Sequence, residues 1–199
     1  MEQSSQGIRI VAISGSVRPG NYTNMAVALI VDEFKKHPQI DLKVIDPALL
    51  NLPFPGMDPG SEETKELQEM VRNATGIILA TPEYHGSFSS VMKLVIENLG
   101  FPSVLAGKPV TLLGVAAGSI GAIKSLEMLR SVCSHIGAFV LPLSISVANV
   151  QKVFDKDGHC LDPSVEKMVR SVATHLINYI QKNICPAIEL ERILRVGPS

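Results

Sequence analysis

Tryptophan is absent from this chain, and aromatic residues make up only 5% of it. Cysteine is nearly as scarce, and three widely spaced thiols predict no disulfide framework but a reducing, cytoplasmic location. The net charge is −1 and no block of one sign occurs, so neither a nucleic acid nor a membrane surface is expected as a partner. No apolar run reaches the roughly 18 residues of a membrane span, and the first residues lack the pattern of a signal peptide.

What the chain does contain is a hydrophobic content of 46% over 199 residues, which is enough for one sizeable core. No internal repeat and no low-complexity tract interrupts it. The sequence therefore predicts a single domain over residues 1–199, with peripheral tails at 1–7 and 185–199.

Short apolar segments alternate with segments of helical periodicity. Strands are predicted at 8–14, 40–46, 76–81, 109–116 and 138–142. Helices are predicted at about 24–37, 88–99, 123–136 and 165–180. A further helix is predicted to begin after Ser61, which caps its amino end. The proline-rich segment 47–60 is predicted to hold neither a helix nor an inner strand.

This alternation predicts an α/β fold, with a five-stranded parallel sheet covered by helices on both faces. The predicted order of the strands in the sheet is 2-1-3-4-5. For this order the ligand site is expected at the carboxyl ends of the strands, where the strand order reverses.

A small polar turn, GSVRPGNYT, joins the first strand to the first helix. The amino end of that helix directs unpaired N–H groups and a positive dipole end at the turn, which favours a phosphate there. Ser16, Thr23 and Asn24 add side-chain donors, and Arg18 adds a cation. Because the turn lacks the lysine of nucleotide-hydrolase loops and the second glycine of dinucleotide loops, it suits a single terminal phosphomonoester such as that of FMN.

Two further loops are expected at the same edge of the sheet. The loop after the third strand, TPEYHGSFSS, leaves that strand through Pro82 and carries a carboxylate, a phenol and an imidazole in succession. Its Glu83 is either a hydrogen-bond acceptor or a general base. The loop after the fourth strand, AAGSIG, contains two glycines, which let backbone amides approach a flat ligand closely.

These segments together resemble the NADPH-dependent FMN reductase family, the flavodoxin-like group of quinone, azo-dye and chromate reductases. The resemblance rests on GSVRPGNYTNM, TPEYHGSFSSVMK and KPVTLLGVAAGSIGA, and it extends from about Ile8 to about Pro142. It implies a flavodoxin-like three-layer sandwich that binds FMN. The cofactor-binding positions that it implies are Ser16, Arg18, Asn21, Thr23, Asn24, Pro82, Glu83, Tyr84, His85, Gly86, Ala117, Gly118, Ser119 and Gly121.

The same resemblance implies an oxidoreductase that passes hydride from NAD(P)H through FMN to a quinone or similar small oxidant, such as a flavin, an azo dye or a metal oxyanion, in a ping-pong cycle. It implies no catalytic side chain, and a homodimer or homotetramer. A flavodoxin-type electron carrier and an FMN-binding regulatory protein without NAD(P)H turnover remain alternatives. No basic cluster in the sequence marks a pocket for the 2′-phosphate of NADPH, so the choice between NADH and NADPH stays open.

The chain departs from the family pattern near the expected ring site. The family commonly has Asn where this chain has His85, Pro where it has Ser89, and a Lys-Asn pair where it has Lys93 and Leu94. These departures affect ring contacts and substrate choice rather than the phosphate turn. No metal site is expected, because no C-x-x-C pair is present and Cys133 lies on an apolar helix stripe.

Overall fold

The computed structural model describes residues 7–58 and 60–196, without the side chains of residues 192, 193, 195 and 196. Residues 1–6, Pro59 and 197–199, which belong to the predicted tails and the proline-rich segment, lie outside the described part. The strands are β1 (Ile8–Ser14), β2 (Ile40–Ile45), β3 (Gly76–Tyr84), β4 (Ser87–Phe88), β5 (Pro109–Val115), β6 (Phe139–Val140) and β7 (Ile145–Val147). The helices are α1 (Tyr22–Phe34), α2 (Glu62–Asn73), α3 (Ser90–Asn98), α4 (Ile123–His135), α5 (Val150–Val153), α6 (Pro163–Tyr179) and α7 (Cys185–Val196).

Parallel strands form the sheet in the order β2-β1-β3-β5, and β6 and β7 both pair with the outer edge of β5. The predicted fold class is therefore confirmed, and the five predicted strands keep the relative order 2-1-3-4-5, but the short strands β4 and β7 are added to it. The predicted count of five strands is wrong for two reasons. The fifth strand is interrupted, and β4 pairs antiparallel with the end of β3.

Successive residues of the central strands point to opposite faces, so the sheet divides the hydrophobic core into two layers. Ile10 and Ile78 pack in the layer beneath α1 and α6. Val11 and Ile77 pack in the layer beneath α2, α3 and α4. Both layers hold the strands in place and fix the positions of the loops at their carboxyl ends. No helix in the described ranges is both long and apolar enough to cross a membrane.

The third strand is longer than predicted. It continues through Pro82 to Tyr84 instead of ending at residue 81, and Pro82 still pairs with Val115 of β5. The pairing between β1 and β3 ends at Ala80, so Pro82 has no residue of β1 opposite it to which it would have to donate. The prediction that the chain leaves the strand at Pro82 is wrong because a proline is tolerated where no ladder hydrogen bond is needed.

The interruption between β6 and β7 has its own hydrogen-bond partners. Leu143 has a φ of 64°, which is outside strand geometry. The guanidinium of Arg130 donates to the carbonyl oxygens of Val140 and Leu141 at 3.4 and 3.1 Å, and to Ser144 Oγ at 2.7 Å. Arg130 thus supplies donors to the carbonyl groups next to the break in the strand.

The helix boundaries differ from the predictions at several ends. α1 begins at Tyr22 because Asn21 caps it, and it ends at Phe34 rather than at residue 37. The proline-rich segment contains one 3-10 turn at Pro47–Leu49, capped by Asp46, because proline is tolerated at the first position of a helical turn. α2 follows the predicted cap, since Ser61 Oγ accepts from the N–H of Thr64 at 3.2 Å.

The segment from residue 185 is helical where a tail is predicted. α6 continues through a π-helical turn, Ile180–Ile184, into α7, whose described side chains are mostly exposed. Pro186 in the first turn of α7 has no N–H to donate to the carbonyl four residues earlier, which accounts for the wider turn at the junction. The single-domain organisation stays a prediction.

Candidate functional site

The loops that follow β1 and β3 are tied together at the carboxyl edge of the sheet. The N–H of Gly15 donates to the Ala80 carbonyl at 2.6 Å, and Ser89 Oγ donates to the Gly15 carbonyl at 2.5 Å. A Cβ on Gly15 would lie 2.9 Å from the Ala80 carbonyl oxygen, so this close approach requires glycine. The two loops are therefore held in a fixed relative position before any ligand binds.

Two asparagines shape the turn between β1 and α1. The side-chain oxygen of Asn21 accepts from the N–H of Asn24 at 2.8 Å, and the Asn21 amide donates to the Arg18 carbonyl at 2.7 Å. Ser14 Oγ donates to the side-chain oxygen of Asn24. The two asparagine side chains thus support the turn itself, in addition to any contact with a ligand.

The same turn contains a buried polar group without a partner. Ser16 is 2% exposed, and its hydroxyl makes no hydrogen bond within the described ranges. Thr23, in the first turn of α1, is equally buried at 1% exposure. The described residues also offer no acceptor to the backbone N–H groups of residues 16–18 and 20–23. An orphan hydroxyl in a turn with free N–H groups at a helix amino end fits a phosphate monoester, whose oxygens are strong acceptors for such donors.

Arg18 and Tyr84 connect this turn to the end of β3. The guanidinium carbon of Arg18 lies 5.1 Å from the centre of the Tyr84 ring, which is a cation–π contact. Both side chains are exposed at the edge of the site. The sequence predicts Arg18 at the phosphate, and the structure places its guanidinium over an aromatic ring of the next loop.

Glu83 supports the scaffold through α4. Its carboxylate accepts from the N–H of Ser125 at 3.0 Å, in the first turn of that helix. α4 has no side-chain cap at its own Ala122, so Glu83 provides the missing acceptor from a neighbouring loop. Of the two roles that the sequence left open for Glu83, the structure shows the hydrogen-bond acceptor.

His85 and Gly86 form the two-residue tip of a hairpin between β3 and β4. Tyr84 pairs with Ser87 across the tip, whose residues have φ values of 51° and 75°. Positive φ at both central positions is typical of a type I′ turn, where Asn-Gly is favoured and His is one of the few other residues tolerated. His85 therefore fits the turn that the family's Asn would form, and its imidazole is exposed at the edge of the site.

The loop after β5 exposes a series of backbone donors. Residues 117–120 are exposed, and no described residue accepts from their N–H groups. Gly121 has a φ of 78°, and a Cβ there would lie 2.5 Å from Ser146 Oγ. That hydroxyl in turn accepts from the N–H of Ala122 at 2.8 Å. The closed turn leaves the preceding N–H groups free to donate to a polar edge of a flat ligand.

Residues that position the site were missed by the sequence reasoning. Ser89, interpreted only as a departure from the family, caps α3 by accepting from the N–H of Met92 at 3.0 Å, and Ser89 also binds Gly15. A serine directly before an apolar helical segment is the signal that could have identified this cap. Ser146 and Lys124 carry no comparable signal, because only the fold brings them to the site.

Other notable features lie outside this edge. A cleft of about 500 Å³ is lined by β1, β2 and α2, and none of the predicted site residues lines it. Ligand atoms of Asp155, Asp157 and His159 lie within 4.8 Å of one another, but Asp155 already accepts from two N–H groups and from the His159 ring. Burial raises the pKa of the Cys133 thiol to about 12, which makes this cysteine unreactive.

The parallel sheet with its strand order and with helices on both faces defines a protein of the flavodoxin-like class. A model of the NADPH-dependent FMN reductase family matches residues 8–152, and the chain belongs to that family. The chain is thus an oxidoreductase of the flavin reductase type, with FMN as cofactor and NAD(P)H as co-substrate.

Two curated proteins are similar to this chain in sequence, and one solved structure is similar to it in fold. An NADPH azoreductase of Bacillus sp. (strain OY1-2) is 26% identical over 175 residues, which cover 86% of this chain and 94% of the relative. An NAD(P)H-dependent FMN reductase of Pseudomonas aeruginosa is 28% identical over 174 residues, covering 83% and 91%. FerB, a flavoenzyme NAD(P)H:acceptor oxidoreductase from Paracoccus denitrificans, superposes with a TM-score of 0.73 at 18% identity, covering 88% of this chain and 98% of that one.

Proposed function

We propose that this protein binds FMN at the turn between β1 and α1 and reduces small oxidants at the expense of NAD(P)H. The observation that supports this most directly is the buried hydroxyl of Ser16, which, like the N–H groups of that turn, has no partner in the part of the chain that the structure describes. In this proposal, Ser16, Thr23 and the turn's N–H groups bind the phosphate, while Asn21 and Asn24 hold the turn in shape and add polar contacts.

The other two loops enclose the ring and ribityl chain in this proposal. Residues 82–86 form one wall, with Tyr84 and His85 exposed and Glu83 anchoring the wall to α4. The N–H groups of Ala117, Gly118 and Ser119 donate to the polar edge of the ring, and Gly121 closes their turn. Backbone donors fixed before reaction stabilise negative charge that develops at that edge without reorganising.

Bound FMN supplies the redox chemistry, in which two electrons and a proton enter as hydride from NAD(P)H and leave to the oxidant. The protein's own contribution is to bind, orient and expose the ring. No side chain is required as a general base, since Glu83 is engaged with Ser125. An exposed site with few aromatic residues leaves room for the two substrates to bind in turn, which supports a ping-pong order.

The proposed oxidants are quinones, azo dyes, free flavins and metal oxyanions. Azo compounds gain support from the azoreductase named above, which is similar over most of its length. The proposed assembly is a homodimer or homotetramer, because Phe54 and Met57 of the proline-rich segment are 69% and 65% exposed. Three free cysteines support a reducing compartment, which we propose is the cytoplasm.

The test starts with the absorbance spectrum of the purified protein after incubation with FMN and removal of the excess. Oxidation of NADPH and of NADH is then measured at several fixed concentrations of a quinone and of an azo dye. Parallel double-reciprocal lines are expected for a ping-pong order, and light scattering is expected to give a dimer or tetramer mass. Retention of FMN without NAD(P)H oxidation by any acceptor would instead favour the electron carrier or the regulatory protein.

A further inference from the structure

The loop after β5 is attached to the segment that leads into α5. Residues 149–151 donate hydrogen bonds to three consecutive carbonyl groups of that loop, those of Ala116, Ala117 and Gly118. The backbone N–H of Val150 donates to the first carbonyl at 3.0 Å, and the backbone N–H of Asn149 donates to the third at 3.1 Å. The side-chain amide of Gln151 donates to the middle carbonyl at 3.1 Å. We call residues 149–151 the loop clamp.

This attachment determines the direction of the loop's own N–H groups. In a trans peptide unit, the carbonyl of one residue and the N–H of the next residue point in opposite directions. Because the loop clamp binds the carbonyls of residues 116–118, the N–H groups of residues 117–119 point away from the clamp. These N–H groups have no acceptor among the residues that the structure describes. In the proposed function they donate to the polar edge of the flavin ring.

The two outer residues of the loop clamp contribute in different ways. Asn149 has a φ of 47°, a left-handed conformation that asparagine adopts more readily than most residues. This conformation turns the chain from β7 into α5 and so brings the donors to the loop. Gln151 provides the one side-chain contact of the three, so a substitution there removes a hydrogen bond without changing the backbone.

We propose that Gln151 and Asn149 are positioning residues for the flavin ring, which act through the loop after β5 rather than by touching the ligand. The inference rests on the proposed function, because the N–H groups that they orient are assigned there to the polar ring edge. That edge gains negative charge when FMN is reduced, and donors held in place stabilise such charge. The loop clamp therefore favours the reduced form of the cofactor and raises the midpoint potential of bound FMN.

Three variants test this role, and a fourth is a matched control. Gln151→Met removes the donor without adding charge. Asn149→Val disfavours a positive φ, whereas Asn149→Gly permits it. The control is Gln68→Met, because the side-chain amide of Gln68 also donates to a backbone carbonyl, that of Asn98 at 2.9 Å. Gln68 belongs to α2, which packs on the other face of the sheet from α5.

Each variant is studied as the full chain in three measurements. Quenching of flavin fluorescence gives the Kd of FMN and of riboflavin. Equilibration of the FMN-loaded protein with a reference dye during slow reduction gives the midpoint potential. Urea unfolding of the apoprotein gives the free energy of unfolding, which separates a positioning effect from a loss of stability.

We expect Gln151→Met to raise the Kd of FMN and of riboflavin by the same factor, about threefold, because both ligands contain the ring. Binding of reduced FMN should weaken about fivefold further, which for a two-electron couple lowers the midpoint potential by about 20 mV. Asn149→Val should act in the same direction, and Asn149→Gly should keep the wild-type potential. Gln68→Met should lower stability and leave both affinities and the potential unchanged.

Several results would overturn the inference. One is an unchanged midpoint potential in Gln151→Met, and another is an equal shift in Gln68→Met, which would make the shift a general consequence of lower stability. A loss of affinity for FMN but not for riboflavin would connect Gln151 to the phosphate instead of the ring. If the wild type binds neither flavin, the proposed function fails and this inference fails with it. Normal binding by the wild type with no effect of Gln151→Met refutes the positioning role alone.

Discussion

Replacing Ser16 by alanine separates a ligand-binding hydroxyl from a structural one. This hydroxyl is buried and has no hydrogen-bond partner among the described residues, and such a group destabilises the native state by about 1–3 kcal/mol. Ser16→Ala removes the hydroxyl and leaves no other group unpaired. The free energy of unfolding of the apoprotein is therefore expected to stay the same or to rise by about 1 kcal/mol.

The same substitution is expected to weaken the binding of FMN. A hydrogen bond from a buried hydroxyl to a charged phosphate contributes about 1.5–3 kcal/mol, which corresponds to a roughly 10- to 150-fold increase in Kd. Riboflavin lacks the phosphate, so its affinity should change little. Urea unfolding of the apoprotein gives the stability, and quenching of flavin fluorescence gives both affinities.

Thr111→Val is the matched control for this experiment. Thr111 Oγ1 is also buried and has no partner among residues 7–58 and 60–196, but it lies near the start of β5, at the opposite end of the strand from the site. This variant should show the stability effect and leave FMN affinity unchanged. Our assignment of Ser16 to the phosphate is refuted if Ser16→Ala weakens riboflavin as much as FMN, or if it leaves FMN affinity intact.

Three further predictions concern the scaffold. Glu83→Ala should lower the free energy of unfolding by about 1–2 kcal/mol in urea melts, because α4 loses its remote cap. Glu83→Gln keeps an acceptor oxygen and should lose less stability. Equal losses in the two variants would contradict the capping role. The hydrogen bond from Arg170 holds the pKa of Asp32 below its usual range. The contribution of this ion pair to stability is therefore complete above the unfolded-state pKa of about 4, and it is lost as the pH falls through the lower folded pKa. The free energy of unfolding should fall less steeply between pH 5 and pH 2 in Arg170→Met than in the wild type, and an unchanged slope would contradict this. Mass spectrometry after brief alkylation of the native protein should find Cys160 and Cys185 modified and Cys133 protected, since burial raises the pKa of Cys133 to about 12. Equal labelling of the three cysteines would contradict this and would show that α4 opens readily.

The parts of the fold that the sequence predicts well are those fixed by local pattern. Buried strands such as β1 and β5 are continuous apolar segments, and Ser61 followed by two glutamates is a complete start signal for α2. The strand order follows from the alternation of strands and helices together with the family resemblance. These features depend on neighbours in sequence, so a single chain contains the necessary information.

The features that were mispredicted depend on partners distant in sequence. Pro82 is a strand terminator by local rules, and only the early end of β1 makes it acceptable within β3. His85-Gly86 was not recognised as a hairpin tip, because histidine is an infrequent substitute for asparagine in a type I′ turn. The Arg130 contacts that bridge the break between β6 and β7 cross ten or more residues, so no local pattern reveals them.

The hydrogen bonds at the site divide its residues into two groups with different functions. The side-chain oxygens of Ser89, Glu83 and Ser146 form hydrogen bonds with neighbouring segments, and these bonds fix the three loops relative to one another. Ser16, with the N–H groups of residues 16–18, 20–23 and 117–120, has no protein partner in the described ranges. Because the first group orders the loops before binding, a ligand does not have to supply that ordering free energy, and the contacts of the second group contribute to affinity almost undiminished. Breaking the hydrogen bond between Ser89 and Gly15 should therefore weaken the binding of FMN, even though Ser89 itself donates no hydrogen bond to the ligand in our proposal.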